Sequence, residues 1–357
     1  MHFHRPALAR ELARMLLSPA PLEQQAGAGL VLAGPPRTGK SCFLVSDLVP
    51  ELSRRGALGV YVDVGLADRE APADLIRKAL WAKSPRLLAD SGTAAPATLL
   101  DTAASLRGEI GTDVVLIVDG VEGAPARRGG PSLLQGLCEA LGAANRSAAS
   151  SGQLRLLACG RLEANTRAML ADSAHHFTAA QVRELPVLDE AFVEFLLEVI
   201  SSTQGHAHPK HAVAVEAFAR LGHRPEELLR ALTLLRALPT GHDPDTALLA
   251  TANALRIAIY EREFSRLADL GALPSAVFAR MTKGANAPFS DEAKSAYQVE
   301  LGWRPSTSEI QTALNALVNA SYVVRVGRGA YTCAHPMASK LWQEQQLLNF
   351  ASKGHGT

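Results

Sequence analysis

The sequence has few cysteines, no excess of charge of either sign and no long apolar run. Its four cysteines form neither a CxxC pair nor a disulfide framework, which favours a reducing compartment. Lysine and arginine total 36 against 35 for aspartate and glutamate, so no overall field attracts the chain to nucleic acid or anionic lipid. No apolar run reaches the roughly 18 residues of a membrane span, and residues 1–10 lack the apolar core of a secretion signal. These absences predict a cytoplasmic protein without membrane contact.

Several active-site patterns are also absent. No Ser/His/Asp arrangement or carboxylate pair stands out, and the methionines are too scattered to line a cofactor site. His206, His208 and His211 have a spacing at which imidazoles can converge on a metal ion, but no nearby cysteine or carboxylate completes a ligand set. We therefore expect solvated loop histidines.

The remaining composition is that of a globular protein, with 47% hydrophobic and 20% charged residues over 357 positions. This length suggests two or three domains. Residues 5–17 have the apolar spacing of an amphipathic helix. Five short apolar segments then alternate with helix-length stretches, at 29–33, 58–64, 114–118, 154–159 and 182–185. The alternation predicts βαβ units around a buried parallel sheet, an α/β fold.

From Leu188 onward the pattern is helical. Two prolines and a glycine interrupt it at 238–244, which marks the best domain boundary in the chain. Further helices follow, the last beginning at Ser306, which has Glu309 at capping-box spacing. Two apolar strands around the turn 327–329 then predict a β-hairpin.

The motif with chemical content follows the first predicted strand. Residues 34–41 fit G-x-x-x-x-G-K-[ST], and a helix is predicted to start near Lys40. In such a P-loop, backbone N–H groups and the positive end of the helix dipole hold phosphates. We expect Lys40 to reach the β- and γ-phosphates of ATP and the Ser41 hydroxyl to ligate Mg²⁺. The predicted nucleotide-binding residues here are Gly34, Pro35, Pro36, Arg37, Thr38, Gly39, Lys40, Ser41 and Cys42.

Cys42 has a second interpretation. The helix dipole lowers the pKa of a thiol near a helix start, yet the role that we expect for Cys42 is that of a small buried packing residue.

The third predicted strand ends in a carboxylate, Asp119, as in a Walker B strand whose aspartate holds Mg²⁺ through water. Many buried strands end in aspartate by chance, but a metal-phosphate site needs such a group. Glu122 follows three residues later and is the candidate to orient or deprotonate the attacking water. The predicted catalytic residues are thus Lys40, Asp119 and Glu122, and the predicted metal ligands are Ser41 and Asp119.

In their order and spacing these motifs resemble the AAA+ and STAND-like P-loop ATPases, in particular the archaeal-type ATPases. Residues 5–12 are similar to that family's first helix, Gly160-Arg161 to its sensor-1 region, and 185–191 to the start of its helical lid. Residues 221–225 resemble the lid's Gly-x-Pro motif, with one extra residue, which implies that Pro225 lies near the nucleotide base.

The resemblance implies a P-loop NTPase core of AAA+/ASCE type with a parallel sheet, a helical lid and a C-terminal winged-helix domain. The expected boundaries are 1–186 for the core with its first helix, 187–240 for the lid and 246–357 for the winged helix. The implied activity is conversion of ATP and water to ADP and phosphate, with Mg²⁺ as cofactor.

Two positions depart from the family pattern. Family members usually carry glutamate directly after the Walker B aspartate, whereas this chain has Gly120. Arg161 occupies the place of the usual serine, threonine or asparagine of sensor 1; it is either a phosphate sensor or arginine finger, or a surface residue. With Gly120 in that place, either Glu122 substitutes or hydrolysis is weak.

The implied winged helix leaves its partner open. Arg304, Arg325 and Arg328 could contact phosphates from the flank and the wing, but the last helix offers no lysine or arginine on its outward positions. Those positions are Thr307, Ser308, Gln311, Thr312, Asn315 and Asn319.

The function predicted from the resemblance is an ATP-driven switch that engages duplex DNA or a protein partner. A nucleotide-gated binding module with little or no hydrolysis and a DNA-loading or transposition-helper ATPase are the alternatives. A homo-oligomer is also open.

Overall fold

A computed structural model describes residues 2–17, 29–35, 37–65, 71–84, 98–121, 133–147, 152–160, 181–201, 208–237, 242–284, 287–320, 322–327, 330–333 and 342–343. These residues form two compact units, one up to Leu188 and one from Asp189 onward. The domain boundaries expected from the sequence, 1–186, 187–240 and 246–357, stay predictions.

The first unit contains a five-stranded parallel sheet in the order β2-β3-β4-β1-β5. The five predicted strands and the α/β class are confirmed. The inner strands are short and apolar because helices cover both faces of the sheet, whereas the fifth strand, at the edge, is exposed and mostly polar. The strands are β1 (Leu30–Ala33), β2 (Leu58–Asp63), β3 (Val114–Asp119), β4 (Leu154–Gly160) and β5 (Gln181–Glu184).

Helices pack on both faces of this sheet. Alternate strand residues point to opposite sides, so Leu116 and Val118 lie in one apolar cluster and Val115 and Ile117 in the other. The first cluster is completed by α4 (Pro72–Trp81), α5 (Leu99–Ile110) and α6 (Leu133–Ser147). The second is completed by α1 (Pro6–Leu17), α2 (Lys40–Phe43), a π-helical stretch (Leu44–Leu48) and α3 (Val49–Arg54). The last three follow one another without a break from the end of the P-loop.

The second unit is helical with one hairpin at its end. Its helices are α7 (Glu190–Ser201), α8 (His211–Arg220), α9 (Pro225–Arg236), α10 (Pro244–Asp269), α11 (Ala272–Thr282), α12 (Asp291–Leu301) and α13 (Thr307–Asn319). Strands β6 (Val323–Gly327) and β7 (Ala330–Cys333) pair antiparallel and confirm the predicted hairpin.

The 26-residue helix α10 packs against both α8 and α9 and also contacts α11. An apolar cluster around Phe278, Tyr297 and Leu314 joins the three helices that follow it to the hairpin. The same helix therefore contacts the segment predicted as lid and the three-helix module that follows.

Candidate functional site

The P-loop lies between β1 and α2, at the carboxyl edge of the sheet. Gly34 N donates a hydrogen bond to Gly160 O of the neighbouring strand β4 at 3.2 Å, and the buried Thr38 hydroxyl donates to Pro35 O at 2.8 Å. Arg37 and Gly39 both have positive φ, 60° and 85°. A left-handed backbone is strained for arginine and unstrained for glycine, so this loop carries local strain at Arg37.

Lys40 is the first residue of α2, and its ammonium group turns back over the loop. Its Nζ donates to Gly34 O at 3.0 Å and to Pro35 O at 2.6 Å. These are the carbonyls that close the P-loop. The Lys40 charge is therefore held at the mouth of the loop, beside the backbone N–H groups at the start of the helix, where a phosphate is favoured.

Tyr61 holds Asp119, one of the two predicted metal ligands. Tyr61 lies on β2 and Asp119 ends the adjacent strand β3, where the Tyr61 hydroxyl donates to Asp119 Oδ2 at 3.0 Å. Burial and the carboxylates of Asp119 and Asp63 raise the pKa of Tyr61, while a hydrogen bond with Ser41 acts in the opposite direction. Tyr61 thus stays protonated at neutral pH and donates to a carboxylate that is 4% exposed.

This tyrosine is the functional residue that sequence reasoning missed. The run of apolar residues around it identifies β2 as a strand but does not reveal which strand lies beside it. Only the strand order, with β2 next to β3, brings the phenol to Asp119.

Gly120 directly follows Asp119 and touches the backbone of another loop. Its φ is +73°, and a Cβ atom there would lie 2.7 Å from Gly65 N and 2.8 Å from Gly65 Cα. Gly120 N donates to Asp119 Oδ1 at 2.9 Å. The position therefore has no room for the glutamate that the resembling family carries there.

The remaining predicted residues fall into two groups. Pro36, Glu122, Arg161 and Arg328 lie outside the described residues. Pro225 is the first residue of α9, after Gly222 and His223, which both have positive φ. Because Pro225 belongs to the second unit, its nucleotide contact stays a prediction.

One expectation is wrong. Cys42 is exposed rather than buried, and its Sγ lies 3.1 Å from His2 Nδ1. The inward positions are taken by Phe43 of α2 and by Leu44, the first residue of the π-helical stretch, which are both fully buried, so the side chain of Cys42 faces outward.

Some side chains on the outward face of α13 form hydrogen bonds within the protein. Thr307, Ser308, Thr312 and Asn315 are exposed as expected, but Gln311 Nε2 donates to Asn315 Oδ1 at 2.9 Å and to Tyr331 Oη at 3.2 Å. Before the helix, Arg304 is paired with Asp291 at 2.8 Å. Lys294, which the sequence reasoning did not single out, donates to Thr307 Oγ1 at 3.0 Å. The basic groups described near α13 therefore lie at its start.

The donor atoms at the P-loop edge fit the ligands that the motif implies. The Ser41 hydroxyl and the Asp119 carboxylate are hard oxygen donors, which suit Mg²⁺. Lys40 and the loop N–H groups suit the phosphates of a nucleotide. Ser41 and Asp119 are thus the residues that would hold the ion.

Similar folds are found among solved structures. The Walker-type ATPase Paby2304 of Pyrococcus abyssi is 17% identical and superposes with a TM-score of 0.60, covering 96% of each chain. The chain has the fold of the AAA+ P-loop ATPases. The ADP form of the Aeropyrum pernix ORC2 protein has the same TM-score at 12% identity, with 98% of this chain and 95% of that chain covered.

A second ORC2 structure, of its ADPNP–ADP complexes, has a TM-score of 0.57, also at 12% identity, over 96% of this chain and 94% of that one. No protein-family model matches the sequence, and no curated relative matches it. The AAA+ fold is therefore shown by structure alone. None of the described helices is both long and apolar enough to span a membrane.

Proposed function

We propose that this chain is an ATP-binding switch of the AAA+/STAND-like kind that uses Mg²⁺. The observation that carries the proposal is the placement of Lys40 over the P-loop and of Asp119, held by Tyr61, at the carboxyl edge of the sheet. Three chain segments far apart in sequence supply these groups. A cation site beside a P-loop lysine is the arrangement that phosphoryl chemistry needs.

Each of these residues has a defined task in ATP binding. Lys40 exchanges its contacts with the carbonyls of Gly34 and Pro35 for phosphate oxygens. Asp119 releases the Tyr61 hydroxyl, and Ser41 and Asp119 would hold the metal, which neutralises phosphate charge when bound. Pro225 is proposed to border the base from the lid. The ORC2 structures are those of its ADP form and of its ADPNP–ADP complexes, which is consistent with a nucleotide here.

Hydrolysis in this proposal depends on Glu122, because position 120 cannot carry a carboxylate. In the ATPase reading Glu122 orients or deprotonates the attacking water. The second candidate function is a nucleotide-gated binding module with little or no turnover. The clash that any side chain at Gly120 would make with Gly65 favours this second reading.

The partner is proposed to bind the three helices and hairpin of residues 272–333, read as a winged helix. Duplex DNA and a protein are both candidates. A groove of about 360 Å³ beside α13 supports the protein partner, because its walls include Leu273, Pro274 and the 43% exposed Trp303. Lys294 of α12 and Arg304, which both lie beside the start of α13, support the DNA partner. Self-association remains part of the proposal and is measurable by light scattering with and without ATP.

Isothermal titration of ATP with Mg²⁺ tests nucleotide binding. Lys40→Ala should abolish detectable binding, because it deletes the side chain that neutralises the β- and γ-phosphates. Lys83→Ala, at an exposed lysine of the same unit, is the matched control and should bind as the wild type does. Equal affinity of Lys40→Ala and the wild type would refute the P-loop as the nucleotide site.

Phosphate release separates the two candidate functions. An ATPase should release phosphate steadily, and Glu122→Gln should slow it to the level of Lys40→Ala. If the wild type already matches Lys40→Ala, with and without duplex DNA, the non-hydrolysing module is correct. Stimulation by duplex DNA would favour a DNA-loading or transposition-helper role.

A further inference from the structure

The segment before α1 carries two histidines that contact one buried carboxylate. His2 Nε2 lies 3.0 Å from Asp47 Oδ2, and His4 Nδ1 lies 2.8 Å from Asp47 Oδ1. The two imidazole rings are edge to face with centroids 4.4 Å apart. One ligand atom from each of the three residues can be chosen so that all lie within 4.8 Å of one another. Residues more than 40 positions apart are thus gathered at one point.

The backbone at Asp47 has an uncommon conformation. Asp47 lies in the π-helical stretch Leu44–Leu48, and its side chain is 3% exposed. Single π-turns within helices occur frequently at functional sites. The backbone N–H of Arg5 also donates to Asp47 Oδ2, at 3.3 Å. The backbone of the π-helical stretch and the N–H of Arg5 therefore both orient the carboxylate toward the histidines.

We propose that His2, His4 and Asp47 form a binding site for a divalent transition-metal ion, with Zn²⁺ the best match. Two imidazoles and one carboxylate are ligands that zinc accepts, and they suit Mg²⁺ or Ca²⁺ poorly. Zinc bonds of about 2.0–2.1 Å in a tetrahedron put ligand atoms roughly 3.3 Å apart. The observed separations, all within 4.8 Å, need changes of at most about 1.5 Å to meet that spacing. The ion would take the place of the two imidazole protons that now face the carboxylate, and each proton would move to the other nitrogen of its ring.

Cys42 orients one of the ligands. Its Sγ lies 3.1 Å from His2 Nδ1, the ring nitrogen that does not face Asp47. A metal-bound histidine commonly donates its second N–H to a neighbouring acceptor, which fixes the ring. With His2 bound through Nε2, Cys42 takes that accepting role and is not itself a ligand. The His4 side chain is 67% exposed, so the fourth position is open to water.

The site joins the N-terminal segment to the helix that leaves the P-loop. Arg5 reinforces this junction, because its guanidinium lies 4.7 Å over the Phe43 ring and donates to Pro186 O at 3.1 Å. Metal binding should therefore stabilise the first unit, since an ion that binds only the folded chain shifts the unfolding equilibrium. This inference does not depend on whether the P-loop binds ATP.

Titration with Zn²⁺ tests the site directly. The full chain, stripped of metal with a chelator, should carry its purification tag at the C-terminus, because an N-terminal tag adds imidazoles beside His2. We expect one Zn²⁺ per chain in calorimetry. Binding in His2→Gln/His4→Gln should be weaker by about 100-fold or more, and in Cys42→Ala by roughly tenfold. Saturating Zn²⁺ should raise the melting temperature of the wild type by roughly 5–10 °C.

Two control variants locate the binding. His208→Ala/His211→Ala, at exposed histidines of the second unit, and Asp119→Asn, at the P-loop edge, should both keep the 1:1 binding. Because Asp47 is buried, Asp47→Asn risks unfolding, so circular dichroism of the His2→Gln/His4→Gln variant, whose changes lie before α1, establishes that the variant is folded. Zinc affinity equal to wild type in that folded variant, or absence of stoichiometric binding by the wild type, overturns the proposal.

Discussion

Two glycines of the first unit share a backbone conformation and differ in their surroundings. Gly120 has φ +73° and Gly111 has φ +69°, but a Cβ atom would collide with Gly65 only at Gly120. At Gly111 nothing lies within 4 Å of that Cβ position. The pair therefore separates the cost of a left-handed backbone from the cost of a clash.

We expect Gly111→Ala to lower the free energy of unfolding by about 1 kcal/mol and Gly120→Ala by about 3 kcal/mol. The smaller loss is the left-handed penalty alone, and the larger one adds displacement of the loop at Gly65. Urea unfolding monitored by circular dichroism measures both. Equal losses in the two variants would show that the loop at Gly65 yields freely.

The Tyr61 hydroxyl competes with a metal ion for Asp119. Tyr61→Phe removes the hydrogen bond to Asp119 Oδ2, so stability without nucleotide should fall by about 1 kcal/mol. The affinity for ATP with Mg²⁺ should rise by about fivefold, because the same interaction no longer has to be broken.

Calorimetric titration of Tyr61→Phe with ATP, once with Mg²⁺ in the buffer and once without it, checks this. The gain should vanish when Mg²⁺ is omitted. A loss of affinity instead would mean that the phenol supports the bound state. Tyr331→Phe, which alters a hydroxyl in the hairpin of the second unit, is the matched control.

At the scale of elements, apolar pattern was enough to predict the strands and the first helix. The runs at 58–64 and 114–118 were predicted as strands because buried parallel strands are apolar on both faces. The capping box at Ser306 was predicted because its partners are three residues apart, and both of its hydrogen bonds are present.

Contacts between residues far apart in the sequence were not predictable in this way. Asp47 looks like a polar residue of an ordinary helix, and nothing in its own segment indicates that His2 and His4 return to it. The π-turn that sets its direction adds one residue to a helical turn, which no periodicity argument anticipates. Cys42 was misplaced for a related reason, because the spacing of apolar residues did not fix which side of α2 faces the core.

The N-terminal cap of α13 should stabilise that helix locally, and this stabilisation should weaken in acid. Hydrogen bonds from Ser306 lower the pKa of Glu309 below its ordinary value of 4.5. A carboxyl group whose pKa is lower in the folded than in the unfolded state stabilises the fold above about pH 4.5. This contribution is lost as the pH falls through the lowered pKa. Ser306→Ala should cost about 1 kcal/mol at pH 7 and less at pH 3.

Hydrogen exchange of the α13 amides measures this loss where it occurs. Ser295→Ala, in the interior of α12, is the control and should change exchange little. An effect of Ser306→Ala that is independent of pH would show that the ionisation of Glu309 does not contribute to the cap.

At the scale of the whole molecule, the near balance of 36 basic and 35 acidic residues makes any DNA contact local. If Arg304, Arg325 and Arg328 are the contacts, log affinity for a duplex should fall with log salt at a slope of about −2.7. Arg325→Ala/Arg328→Ala should flatten the slope to about −1. Because Arg304 is already paired with Asp291, we expect the wild-type slope to be shallower than about −2.7.

Fluorescence anisotropy of a labelled duplex across a salt series gives these slopes. Arg236→Ala, at an exposed arginine of α9, should leave the slope unchanged. A slope near roughly −6 would require a basic surface elsewhere, and no binding at low salt would assign the module to a protein partner.

Helix α10 gives the second unit a mechanical property. Its 26 residues correspond to about 39 Å at 1.5 Å per residue, with α8 and α9 on its sides and α11 in contact with it. A continuous helix bends little, so a tilt imposed on α8 and α9 is carried along its axis. A tilt of about 10° displaces the far end of such a rod by roughly 7 Å. Within the second unit, a small tilt at the α8 and α9 end of this helix would thus reach α11 as a displacement larger than the width of a polypeptide backbone.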